Sequence, residues 1–284
     1  MIKVNKVNFT YEKSKKSALE NVNFEIKKGE IFGFLGPSGA GKTTTQRLII
    51  GLLRGYEGSI EVLGKERRDW GNDFYEKIGV AFDFPNLYIK LTAKENLKLI
   101  GSYYKNKLED IDVLLDRVGL LPYANKRVES YSKGMKMRLN FIRSILHKPD
   151  LMFFDEPTSG LDPVNAKIIK DMITEQKNLG KTIFLTTHNM TVAEQLCDRV
   201  AFIVDGNISV IDSPKNLKLE HGKNSIKVEY INYGKLVEDT FNLETINTNE
   251  KYFDIMRNKK IKTIHSQEAS LEDIFIKLTG RKLL

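Results

Sequence analysis

The sequence predicts an α/β fold around a mostly parallel sheet, on three observations. Short runs, IFGFLG at 31–36, LMFF at 151–154, TIFLTT at 182–187 and VAFIV at 200–204, are apolar on both faces. Segments of helical periodicity separate them, as expected when helices cover both faces of a buried parallel sheet. The first run leads into a glycine-rich loop and then a helical stretch, the order of a phosphate-binding strand–loop–helix unit.

The other elements follow in order. Residues 2–10 and 22–27 alternate apolar and polar side chains as half-exposed strands do, and SIEVLG at 59–64 joins them in an N-terminal antiparallel β layer. Between roughly 85 and 147 the pattern becomes an inserted helical subdomain. Thr92 and Glu95 form a capping box ahead of Leu97, Ile100 and Tyr104, and Ile111, Leu114, Leu115 and Val118 make a second stripe ended by Gly119. YSKGMKMRL at 131–139 opens a third helix, continued by Ile142, Ile145 and Leu146. Its Lys133, Lys136 and Arg138 add positive charge to a helix start that is already positive, so an anion from elsewhere is expected in front of it. Asp162 and Pro163 are a natural N-cap and first-turn proline for the helix carrying Val164, Ile168, Met172 and Ile173. From about 217 the apolar periods weaken, and the amphipathic LEDIFIKL at 271–278 closes the chain. The expected organisation is a main domain, 1–216, and a small C-terminal accessory region, 217–284.

Composition agrees with a folded protein: 284 residues, 41% hydrophobic and 29% charged, suit one large domain plus an accessory one and exclude a disordered tail. Cys197 is the only cysteine, so no internal disulfide is possible, and a buried inert thiol is expected. The net charge of +8 suits phosphate-bearing ligands, anionic surfaces or nucleic acid, but the basic residues fall in short clusters that read as solvated surface. No stretch approaches the roughly eighteen apolar residues of a membrane span, and the lysines of MIKVNKVNFTYEKSKKS precede no apolar run. Neither a signal peptide nor a transmembrane segment is expected, which points to a cytoplasmic chain.

Within GPSGAGKTT, residues Gly36, Gly41, Lys42 and Thr43 fit G-x-x-x-x-G-K-[ST], the signature of a P-loop NTPase core. Glycines let backbone N–H groups turn inward around phosphate oxygens, the helix start adds its positive end, Lys42 reaches the β and γ phosphates and the Thr43 hydroxyl ligates Mg²⁺. Asp155, at the carboxyl end of LMFF, is the expected Mg²⁺ partner, and Glu156 is placed to polarise an attacking water. Away from the loop the pair would read as solvated acids at a strand end. Capping alone explains Asp162. His188 ends TIFLTT at the edge where such sheets bind ligands, although a lone histidine is more often structural.

Taken together, GPSGAGKTT, YSKGM, LMFFDEP, SGLD and TTH resemble, over residues 1–215, the ATP-binding subunits of ABC transporters. The resemblance implies that ATP is held by Gly36, Ser38, Gly39, Gly41, Lys42, Thr43 and Thr44, with Tyr11 stacking on adenine; Tyr11 taken alone reads equally as a core residue. It implies Mg²⁺ on Thr43 and Asp155, Glu156 and His188 as catalytic residues, and His188 in contact with the γ-phosphate. Ser132 and Gly134 match the Leu-Ser-Gly-Gly-Gln signature that acts on nucleotide bound by a second subunit, and Asp162 matches the loop communicating between the two. The implied assembly is a head-to-tail pair, expected as a homodimer. It would sit peripherally at the cytoplasmic face of the membrane on separate transmembrane permease subunits, bound through the helical insert and the loop before it. Nucleic acid is not an expected partner.

Two departures stand out. Where relatives carry a glutamine that touches Mg²⁺, this chain reads IGVAFDFPNLY, with Asp83 in the slot; an ionised aspartate approaches Mg²⁺ but donates no hydrogen bond. In the signature, Tyr131, Lys133 and Met135 replace leucine, glycine and glutamine, leaving Lys133 to face either a γ-phosphate or solvent. The ending ASLEDIFIKLTGR resembles ATPase subunits of drug and antibiotic exporters. Competing readings are an importer ATPase, a soluble ATPase acting on ribosomes or nucleic acid, and a module using ATP only as a switch. Length weighs against the ribosomal reading, since such relatives usually fuse two ATPase units.

Overall fold

A computed structural model describes residues 1–105, 107–222, 225–267 and 269–281. Alternation at the N-terminus produces two half-exposed strands, β1 (Ile2–Phe9) and β2 (Leu19–Ile26), which pair antiparallel. The next run has no polar face: β3 (Ile31–Leu35) is buried at every position. After α1 (Lys42–Ile50), β4 (Glu57–Val62) returns to β1 and β5 (Lys65–Glu66) extends the layer in the order β2-β1-β4-β5. Then come β6 (Ile78–Ala81), α2 (Ala93–Gly101), α3 (Ile111–Arg117), α4 (Lys133–Ile145), β7 (Leu151–Asp155), α5 (Pro163–Asn178), β8 (Thr182–Thr187), α6 (Met190–Leu196), β9 (Arg199–Val204) and β10 (Asn207–Asp212).

The main sheet runs β10-β9-β3-β8-β7-β6 among the described residues, parallel throughout except for the β9–β10 hairpin. The sequence reading singled out neither edge strand, β6 or β10. Their short or half-exposed runs carry little apolar signal. Phe24 of the antiparallel layer stacks on Phe32 at 5.6 Å and lies 5.4 Å from Phe34, while Phe153 and Phe184 close the group at 5.9 Å. Each such pair contributes about 0.5–1.5 kcal/mol beyond its buried area, so this aromatic cluster joins the two sheets into one core.

The insert follows its caps. Thr92 and Glu95 make the full capping box of α2, Asp110 caps α3 and Ser132 caps α4. Cys197 is buried; its thiol is pushed well up by burial, and its Sγ would lie 2.7 Å from a Cβ on Gly33. The helix after β3 and the turns after β7 and β8 all leave from the carboxyl edge of the sheet. Asp155 pairs with Thr186 and Leu35 with Thr187 in register, which brings those turns together.

Pro214–Lys282 forms a second compact unit, distinct from Met1–Ser213. It comprises α7 (Pro214–His221), β11 (Ser225–Asn232), β12 (Lys235–Asn242), α8 (Glu250–Asn258), β13 (Lys260–Gln267) and α9 (Leu271–Thr279), with antiparallel strands in the order β12-β11-β13. Val228, Tyr230, Phe241 and Ile255 form its core. The opposite sheet face carries Lys227, Glu229 and Glu238, joined by ion pairs, which is why the segment reads as polar rather than as strands.

Candidate active site

The chain leaves β3 through Gly36, where a Cβ would lie 2.1 Å from the Ile203 carbonyl oxygen. Gly39 and Gly41 follow at φ +79° and +111°, left-handed conformations that glycine adopts without penalty. Gly41 caps α1 with no side-chain bond, so the first-turn N–H groups face the loop as a ready anion site. Lys42 spans the loop, its Nζ donating to the carbonyls of Gly36 at 2.6 Å and Pro37 at 3.0 Å. Burial lowers the Lys42 pKa, against the opposing pull of Glu156 and Asp155.

Asp155 ends β7 with its carboxylate buried. Thr186 Oγ1 donates to Oδ1, and Thr43 Oγ1 reaches Oδ2 at 3.4 Å. Burial raises its pKa, the Thr186 hydrogen bond and Lys42 oppose that, and the like charges of Glu156 and Asp83 add to it. Glu156 then turns the chain with φ +48°, its N–H bonded to Thr186 O at 2.9 Å. A non-glycine residue held there costs on the order of 1–3 kcal/mol, strain that gathers at functional sites. The end of β8 fixes the Glu156 carboxylate from three directions. Thr187 Oγ1 donates to Oε2 at 2.8 Å, the His188 N–H donates to Oε1 at 2.8 Å, and His188 Nδ1 lies 2.6 Å from Oε1.

A cavity of about 350 Å³ gathers these groups, lined by Ser38, Gly39, Gly41, Lys42, Thr43, Thr44, Asp83, Asp155 and Glu156. Asp83 therefore stands on the same cavity as the Thr43 hydroxyl and Asp155. Among the described residues no group of three or more His, Cys, Asp and Glu side chains forms a ready metal cage. One or two carboxylates plus a hydroxyl nevertheless suit Mg²⁺, which keeps waters and takes its remaining ligands from substrate phosphates. Tyr11 reaches the loop from the β layer. Its hydroxyl lies 3.0 Å from Thr44 Oγ1, its ring meets Phe9 edge-on at 4.9 Å, and the rest stays partly exposed.

Ser132, Gly134 and Asp162 do not line this cavity. Ser132 caps α4 by accepting from the Met135 N–H at 3.2 Å. Asp162 caps α5 by accepting from the N–H groups of Val164 and Asn165, both at 3.1 Å; the Asn165 side chain and backbone bonds hold its carboxyl below the usual range. The signature's departures have local explanations. Tyr131 is buried, and its hydroxyl donates to Tyr123 O at 2.8 Å, so the aromatic fills a core position with its polar tip satisfied. The Lys133 stem lies over Gly160, whose Cβ position is 3.3 Å from Lys133 Cε. That glycine belongs to the SGLD loop, so the lysine bridges signature and loop within one chain.

Sequence reasoning missed Thr186 and Thr187, whose hydroxyls hold the two acids. The TT before His188 was the available signal: threonines at the carboxyl end of a buried strand, beside the acid-bearing one. In the sequence, Arg138 stands out only as unfavourable charge at a helix start. Its side chain donates to Val118 O and, at 3.4 Å, to Gly134 O, and it feels the charge of Asp162.

Residues 19–159 match the family model described as ABC transporter, and residues 224–268 match the fluoroquinolone efflux ABC transporter C-terminal domain. The chain is 49% identical over its whole length to the fluoroquinolones export ATP-binding protein MT2762 of Mycobacterium tuberculosis, covering 94% of it. It is 32% identical to the bacitracin transport ATP-binding protein BcrA of Bacillus licheniformis, over 93% of this chain and 92% of that one. A dimeric post-hydrolysis structure of the ATP-binding cassette MJ0796 bound to ADP and Pi covers 75% of this chain and 98% of that one, at TM-score 0.69 and 28% identity. With a phosphate loop, a buried aspartate and a clamped glutamate at one sheet edge, and these likenesses along its length, the chain belongs to the ABC transporter family, as an ATP-hydrolysing subunit of the exporter type.

Proposed function

We propose that this chain works as one of two identical ATPase subunits, clamped head to tail and mounted on separate transmembrane subunits at the cytoplasmic face of a membrane. The carrying observation is the Glu156 carboxylate, held by Thr187 and His188 at the rim of the phosphate-loop cavity. Glu156 is the base that orients and deprotonates the attacking water, and His188 both positions it and meets the γ-phosphate. Lys42 and the loop N–H groups hold the β and γ phosphates, and Tyr11 stacks on the base. Thr43, Asp155 and Asp83 would hold Mg²⁺, whose charge would offset that of the phosphates. Ser132 and Gly134 complete the site of the opposite subunit, and Asp162 sits at the junction between the two.

The docking face is the loop after β6 and its surroundings. Phe84, Tyr88 and Ile89 are exposed there, beside a cavity of about 480 Å³ lined by Arg47, Leu52, Phe82 and Asn86. Among the described residues no helix is long and apolar enough to cross a membrane, in keeping with separate permease chains. The named cargo of the 49% identical relative and the C-terminal match at 224–268 support a fluoroquinolone-type substrate for export. The test is drug accumulation in cells producing this chain with its permease. Lower fluoroquinolone accumulation that depends on Glu156 supports the reading; accumulation unchanged by Glu156→Gln refutes it.

A further inference from the structure

A second cavity, of about 430 Å³, opens at the opposite end of α1 from the phosphate loop, and none of the ATP-site residues lines it. Its polar wall is cationic. Arg54, Arg67 and Arg68 line it together with the rings of Tyr56, Trp70 and Tyr75, and no aspartate or glutamate does. Among the described residues, none of these arginines pairs with a carboxylate. Glu66, adjacent to Arg67 in sequence, accepts instead from the Tyr56 hydroxyl at 2.7 Å.

Arg67 makes this a built site rather than a patch of surface charge. It is 7% exposed, its Nη2 donates to Ile50 O at 2.7 Å, and its guanidinium lies 4.1 Å over the Phe74 ring. Nε is buried and has no hydrogen-bond partner in the protein. The guanidinium edge is admitted by a glycine: a Cβ on Gly51 would stand 2.6 Å from Nε. With no carboxylate lining the cavity, this buried positive charge favours an anion there.

The remaining wall selects a flat ligand. Arg68 is stacked 4.0 Å over Tyr56 and tied to the carbonyls of Tyr56 and Gly58, and Trp70 is tethered through Nε1 to Val62 O at 2.9 Å. The indole N–H is thus already satisfied, so Trp70 offers ring surface only. Guanidinium forks beside aromatic faces match a carboxylate carried on a planar ring, and the volume lies in the range of small-molecule sites. We infer that this cavity binds a small aromatic carboxylate at the end of the helix whose start faces the nucleotide loop.

Trp70 is the only tryptophan in the chain, so its emission reports the cavity directly. The full chain is titrated with benzoate at physiological ionic strength, with inorganic phosphate and benzyl alcohol as arms carrying the charge or the ring alone. Benzoate is expected to shift Trp70 emission saturably and with one-site stoichiometry, with saturating ATP leaving the titration unchanged. Arg67→Lys should weaken benzoate at least tenfold. Arg54→Ala, at an exposed position that leaves the fold intact, should weaken it at least threefold. The inference is overturned by the absence of a saturable response, by equal binding of benzyl alcohol, by displacement with ATP or by unchanged affinity in Arg54→Ala. Equal affinity for phosphate overturns the choice of an aromatic ligand.

Discussion

His188 engages one oxygen of Glu156 twice, its backbone N–H at 2.8 Å and its Nδ1 at 2.6 Å from the same Oε1. A carboxylate only accepts, so the Nδ1 contact places a proton on that ring nitrogen and turns Nε2 away from the glutamate. The acid and the histidine are thereby one unit, fixed by backbone as well as side chain.

Glu156→Gln keeps the size and the backbone bonds but removes the base. ATPase turnover should fall by on the order of a hundredfold or more, ATP binding should persist, and size-exclusion chromatography with ATP should show an accumulated dimer. His188→Ala should also depress turnover, by less than Glu156→Gln does, because the His188 N–H contact to Glu156 survives the substitution. Parental turnover in Glu156→Gln would show that the base lies elsewhere.

Ser132 caps its own helix and does not line the cavity of its own chain. Ser132→Arg should abolish hydrolysis while a monomer still binds ATP with near-parental affinity, measured by equilibrium titration. Mixing this variant with Glu156→Gln subunits should not restore steady turnover above half of the parental rate, since at most one composite site per pair stays intact. Loss of ATP binding by the monomer would place Ser132 in a self-contained site.

Asp155 carries a pH signature. Its folded-state pKa is raised, chiefly by burial and further by Glu156 and Asp83, so the folded protein holds this proton more tightly than the unfolded chain does. Stability from this group is therefore greatest at low pH and declines as pH rises through the window above its ordinary value. Asp155→Asn should raise the ligand-free Tm at pH 7 by a few degrees, about 2–4 °C for each kcal/mol relieved, and abolish ATPase activity. The gain should shrink toward pH 4, as followed by thermal denaturation across pH. A lower Tm at pH 7 would contradict the electrostatic account.

Asp83 shares the cavity with Thr43 and Asp155, and its charge acts on Asp155. Replacing it with the family's glutamine should raise the Mg²⁺ concentration for half-maximal ATPase activity several-fold, with metal-free ATP binding little changed. An unaltered Mg²⁺ profile would remove Asp83 from the metal's surroundings.

Much of this protein was legible in sequence because its chemistry is local. The phosphate loop needs glycines at set spacings followed by Lys42 and Thr43, and helix caps such as Thr92 and Asp162 act within three residues, so order alone identifies them. Fully buried runs such as IFGFL can be satisfied only inside a covered sheet. Tertiary structure decided what depends on strands meeting. It set Thr186 and Thr187 against Asp155 and Glu156 across a parallel register, laid the Lys133 stem over Gly160, and brought Asp83 to the cavity. It also built a three-stranded sheet from a polar-looking tail, and enclosed Arg67 among aromatic rings with one donor unpaired. Hydrogen bonds and charge couplings between residues tens of positions apart exist only once the chain has packed, because direction and distance, not residue order, set their energy.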